Sequence, residues 1–150
     1  MAEEKYLRQY EKSAAGNYLL KQRGLLANVI TTTADRTLTE EESGSIVFLN
    51  GATTHDVTLP AVAVAGQWFR FVITDVTADV DIVQAAATED FVGTISTGAG
   101  GSDSATSSDT KIIFDQSGGV VVGDFVEVWS DGSNWYVSGS CDAAGGVVFG

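Results

Sequence analysis

The side chains of this chain that could do chemistry are few and scattered. The sole histidine, His55, stands beside Asp56 in the run Thr53-Thr54-His55-Asp56, so a Ser/His/Asp site could be assembled on paper. Such a site wants its serine on a sharp Gly-x-Ser-x-Gly turn, and Gly44-Ser45 and Gly139-Ser140 carry other flanks. The single cysteine, Cys141, has no base near it in sequence and reads as a small buried or tail residue. Asp75, Asp79 and Asp81 offer oxygen ligands to a hard cation, but their spacing is not that of a Ca²⁺ loop and fits a solvated acidic edge. Glu40, Glu41 and Glu42 bring carboxylates together as glycoside chemistry would need. Thr39 followed three residues later by Glu42 is equally a capping pattern, which predicts one exposed helical turn. Gly98-Ala99-Gly100-Gly101 lacks the lysine and the following helix of a phosphate-binding loop. Trp68, Trp129 and Trp135 could stack on sugars or fill a core and an interface. No catalytic residue, cofactor site or metal site is assigned.

The elements that would position these residues are strands. Residues 123–139 read as a hairpin, with Phe125, Glu127 and Trp129 on one face and Val126 and Val128 on the other. Residues 130–134 are turn formers, in which Gly132 and Asn134 can take a positive φ, and Trp135, Tyr136 and Val137 run back. The two tryptophans flanking this loop read as cross-strand partners. Phe69, Phe71 and Ile73 alternate with Trp68, Arg70 and Val72 in a second strong strand. Further short strands are expected around Thr31–Thr33, Ile46–Leu49, Val57–Leu59 (ended by Pro60, which cannot donate to a ladder), Val80–Gln84, Phe91–Ile95, Lys111–Phe114, Val120–Val122 and Val147–Phe149. His55 falls in a loop in this reading, and residues 96–109, small and of low complexity, form an exposed mobile loop. Many short strands between Gly and Ser turns, without βαβ alternation or an internal repeat, predict an all-β antiparallel sandwich or barrel.

Charge divides the chain. Net charge is −12, yet residues 1–36 carry six basic against four acidic side chains, whereas the remainder has only Arg70 and Lys111 against sixteen acids. The acidic body repels nucleic acid and anionic membranes. The first 36 residues read as an arm, with 37–150 as the body. In the arm Lys5, Tyr6, Arg8, Tyr10, Lys12, Tyr18, Lys21 and Arg23 interleave cations with aromatics, and residues 6–11 could make a short helix that breaks at Gly16-Asn17. Two readings compete for such a segment, a terminal helix packed on its own body or an arm that orders on another subunit, and the interleaved cations and aromatics favour the arm. One cysteine excludes an internal disulfide framework, the Met-Ala-Glu-Glu-Lys-Tyr start has no signal-peptide apolar region, and synthesis in the cytoplasm is expected.

The runs Thr37-Leu38-Thr39, Ser43-Gly44, Ile46-Val47-Phe48-Leu49-Asn50, Val57-Thr58-Leu59-Pro60 and Gly66-Gln67-Trp68-Phe69-Arg70-Phe71 resemble a segment recurring in virion proteins of tailed bacteriophages. The stretch from Gly123 to Val137 is similar to the hairpin closing such domains. These are head decoration (cement) proteins and some fibre or appendage modules, and the resemblance spans residues 37–139. It implies a non-enzymatic virion subunit without cofactors, often an oligomer. The expectation is a homotrimer on the capsid surface whose arm cements neighbouring copies of the major capsid protein. A tail-fibre or appendage subunit is the alternative, and a carbohydrate-binding module using Trp or Tyr is a third.

Overall fold

The computed structural model describes residues 10–12, 18–20, 28–61, 64–86, 88–98 and 100–150. Two short strands, β1 (Tyr10–Lys12) and β2 (Tyr18–Leu20), pair antiparallel as a sheet of their own. The body begins with β3 (Asn28–Thr32) and β4 (Arg36–Thr37), followed by a single 3-10 turn at Glu40–Glu42. Next come β5 (Ser45–Asn50), β6 (His55–Thr58), β7 (Trp68–Asp75) and β8 (Val80–Val83). The remainder is β9 (Phe91–Thr97), β10 (Ser102–Ser104), β11 (Lys111–Phe114), β12 (Phe125–Ser130), β13 (Trp135–Cys141) and β14 (Val147–Phe149).

These strands form the all-β sandwich of short strands that the sequence predicts, but with mixed sheets. A seven-stranded sheet in the order β10-β9-β13-β12-β7-β5-β3 packs on a five-stranded one in the order β14-β11-β8-β6-β4. From β3 to β8 the chain alternates between the two layers. Accordingly β3, β5 and β7 lie parallel in one sheet, and β4, β6 and β8 parallel in the other. This is three turns of a flattened coil. The ladder continues around its corners, where Leu38 N donates to Thr58 O at 2.9 Å, Leu59 N to Val83 O at 2.8 Å and Gly44 N to Trp68 O at 2.8 Å. After β8 the chain reverses. Strand β11 runs antiparallel to β8, β12 antiparallel to β7, and β13 antiparallel to β12 but parallel to β9. A purely antiparallel arrangement fails because most turns here cross between layers instead of closing hairpins within one sheet.

Alternation decides what is buried. Phe69, Phe71 and Ile73 of β7, Val126 and Val128 of β12, and Val47 and Leu49 of β5 point inward against Val57, Val80, Ile82, Ile112 and Phe114 of the opposite sheet. Four local expectations change. The body starts at Asn28, not at residue 37, because β3 is an edge strand of the large sheet and Arg36 already pairs with Glu42. Tyr10–Lys12 is a strand and not part of a helix, with Tyr10 opposite Leu20 and Lys12 opposite Tyr18; the break at Gly16-Asn17 lies outside the described residues. Residues 96–109 hold a hairpin, since β10 pairs with β9 through backbone bonds that need no apolar side chain. Residues 120–122 make a turn, with Val120 buried and Val121 and Val122 exposed, because the chain bends at Gly119 and Gly123, both at positive φ.

Gly93 shows how closely β9 and β13 approach. Its φ is +151°, and a Cβ there would stand 1.9 Å from the carbonyl oxygen of Val137. Gly66, at φ +89°, has nothing within 4 Å of that position. Gly93→Ala should therefore lower stability by at least about 2 kcal/mol and Gly66→Ala by about 1 kcal/mol. Urea unfolding midpoints check this ordering, and equal losses would contradict it.

Candidate functional site

The outer face of the seven-stranded sheet carries a row of exposed aromatics. Trp68 opposes Trp129 across β7 and β12, Trp129 opposes Tyr136 across β12 and β13, and Tyr136 stands beside Val92 of β9. Their exposures are 39 % for Trp68 and 42 % for both Trp129 and Tyr136, whereas Trp135 is at 0 %. The cause is register: because Val126, Val128 and Phe69 fill the core, Trp129 and Trp68 must face out. Trp129 and Trp135 therefore lie on opposite faces of the hairpin, and Trp129 meets Tyr136 and Trp68 in place of Trp135. The buried indole of Trp135 sits 6.3 Å from the Phe69 ring instead.

Each member is held by its own element. The backbone N–H of Trp68 donates to Ser43 Oγ at 3.1 Å, and its indole covers Gly44, where an added Cβ would lie 3.8 Å from the ring. The hairpin loop is built on Asp131, whose carboxylate accepts from Ser133 N and Asn134 N, each at 2.8 Å. Gly132 takes the positive φ, at +96°, and Asn134 does not. The N–H groups of Asn134 and then Ser133 hold the Asp131 carboxyl below the usual carboxylate range, and the hydrogen bond to Asp131 pushes the Tyr136 phenol up.

One step along the strands the face becomes ionic. Arg70 Nη1 bonds Glu127 Oε1 at 2.6 Å, and its guanidinium lies 4.1 Å over the Phe125 ring. Toward β9 and β13 the same face carries only hydroxyls, from Thr94, Ser96, Ser138 and Ser140, all exposed. Such a surface stacks against planar or apolar groups on one side and hydrogen-bonds on the other.

The residues considered for catalysis are held elsewhere by structural bonds. His55 opens β6 and is buried, not in a loop; its Nε2 lies 3.0 Å from Thr32 Oγ1 and its Nδ1 2.9 Å from Thr53 O, tying the two sheets together through the interior. Asp56 is exposed, and its N–H donates to Asp35 Oδ1 at 3.0 Å. Cys141 ends β13, buried, with Sγ 3.1 Å from Ala143 O, and burial raises its thiol pKa. Asp75 accepts from Thr77, Asp79 from Gln116 N, and Asp81 pairs with Lys111, so the three aspartates serve different partners. Among the described residues no three His, Cys, Asp or Glu side chains are grouped to hold a metal. Thr39 and Glu42 form the expected capping box, Thr39 N donating to Glu42 Oε2 at 2.9 Å. Gly98, Gly100 and Gly101 belong to the β9–β10 turn. Of the arm residues, Tyr10, Lys12 and Tyr18 lie on β1 and β2, while Lys5, Tyr6, Arg8, Lys21 and Arg23 lie outside the described residues. Among the described residues no helix is long and apolar enough to cross a membrane.

His55→Leu should cost about 1–3 kcal/mol by leaving Thr32 Oγ1 and Thr53 O without their partner, as read by urea unfolding, and an unchanged midpoint would contradict the structural role. No protein-family model matches the chain, and no curated protein matches it.

Proposed function

We propose that this protein is a non-enzymatic structural subunit of a phage virion, one that decorates the capsid and reinforces it. The observation that carries the reading is the exposed aromatic row Trp68–Trp129–Tyr136 on an otherwise acidic body, because exposed apolar rows of this kind mark docking surfaces. The resemblance over residues 37–139 supplies the virion context. The β-body sits on the shell as a trimer about a symmetry axis, and the basic, aromatic arm reaches the acidic surface of neighbouring major capsid subunits. Net charge suits the division: the body keeps particles apart in solution while the arm adheres. Deleting residues 1–26 should abolish co-sedimentation with undecorated capsids, and undiminished binding would overturn the arm assignment.

A second reading, glycan binding, is favoured by the same two exposed tryptophans, since sugar rings stack on indole faces. On a glycan array the full chain should then show saturable binding that Trp129→Ser removes. Absence of any bound glycan would leave the row to a protein partner.

A further inference from the structure

We propose that the aromatic row is the docking site for the chain's own first 27 residues when the protein is free in solution. The inference holds whatever the external partner is. Charge selects the occupant. In residues 28–150 there are only three cations against seventeen carboxylates, and Arg36, Arg70 and Lys111 are each already in an ion pair. Glu40, Glu41, Asp90 and Asp131 are exposed on the connections at the end of the sheet where the row lies. A second body brought face to face would set like charge against like charge. Residues 1–27 are the part of the chain with surplus cations: Lys5, Arg8, Lys12, Lys21 and Arg23 against Glu3, Glu4 and Glu11. Cations and tyrosines interleave there, the chemistry that settles on indole and phenol faces inside an acidic rim.

The point of departure agrees. Asn28 pairs with Ser45, and Ser45 with Phe69, so β3 begins at the end of the sheet that carries Trp68. Trp68 lies two strands away, about 10 Å, and the seven residues between β2 and β3 are enough chain to span about 25 Å. Tethering at this distance gives the segment an effective concentration of order millimolar, which favours its own body over a neighbour's. An acidic external surface that captures the arm does so by exchange, displacing it from the row.

An equimolar mixture of ¹⁴N- and ¹⁵N-labelled full-length chains, treated with a carbodiimide that joins lysine directly to carboxylate, tests this. The expected products join Lys5, Lys12 or Lys21 to Glu40, Glu41, Asp90 or Asp131 in same-isotope pairs, with yield about fivefold lower for Trp68→Ser/Trp129→Ser/Tyr136→Ser. Mixed-isotope pairs, links to other faces, or a yield unchanged by the triple substitution would each overturn the proposal. A second measurement does not touch the body: Lys5→Glu/Arg8→Glu/Lys12→Glu should increase acrylamide quenching of tryptophan fluorescence, and unchanged quenching would equally overturn it. Neither measurement uses a virus particle, so the capsid reading stands or falls separately.

Discussion

The register between β7, β12 and β13 is the constraint on which the rest of the molecule depends. It sets Phe69 against Val128 and Val128 against Val137 on the inner face, and the same pairing sets Trp68, Trp129 and Tyr136 in line on the outer face. The side-chain period of a strand is two, so a slip of one residue would bury the aromatic row and expose the core. Core and exposed aromatic row are thus two readings of one hydrogen-bond ladder. The tight approaches at Gly93 and Gly139, where a Cβ would lie 1.9 Å from Val137 O and 2.5 Å from Val126 Cγ1, pin that register from both sides of β13.

Around this seam the first half of the body winds as a coil. Parallel neighbours stack equivalent positions: 28, 45 and 69 in one sheet, and 36, 57 and 82 in the other. The second half closes against the last turn through the antiparallel pairings of β11 with β8 and β12 with β7. Interior groups are apolar with few exceptions, and the buried polar link between Thr32 and His55 joins the layers near the edge strand β3. Most charged groups lie outside, with Glu89 and Asp124 buried, and the acidic excess of the surface attracts cationic groups and repels a second acidic body.

Much of the fold was legible in the residues. Phe69, Phe71 and Ile73, or Val126 and Val128, write their burial as strict alternation, and Thr39 with Glu42 writes its cap. The coil was not legible, because its stacked positions recur at uneven spacing and a Gly or Ser turn does not say which layer the chain enters next. Val120–Val122 misled because three β-branched residues without alternation carry no face, and the neighbouring glycines decide the bend. Strand β10 was hidden by the reverse case, a polar edge strand held by backbone bonds to β9 and by the Asp103 carboxylate accepting from Phe149 N. In the candidate site Trp129 could be placed outward from its neighbours Val126 and Val128. Tyr136 was missed as its companion, because the partnership appears only once the Asp131–Asn134 turn is counted. Trp68 joins through a pairing between segments far apart in sequence.

The role proposed for this chain is that of a capsid-surface subunit used in bulk, and its most direct test is stoichiometry. Quantitative mass spectrometry of purified particles, scaled to the major capsid protein, should find copies on the order of hundreds, matching the repeated symmetry positions of a shell. A handful of copies per particle would place the protein on the tail and contradict the account.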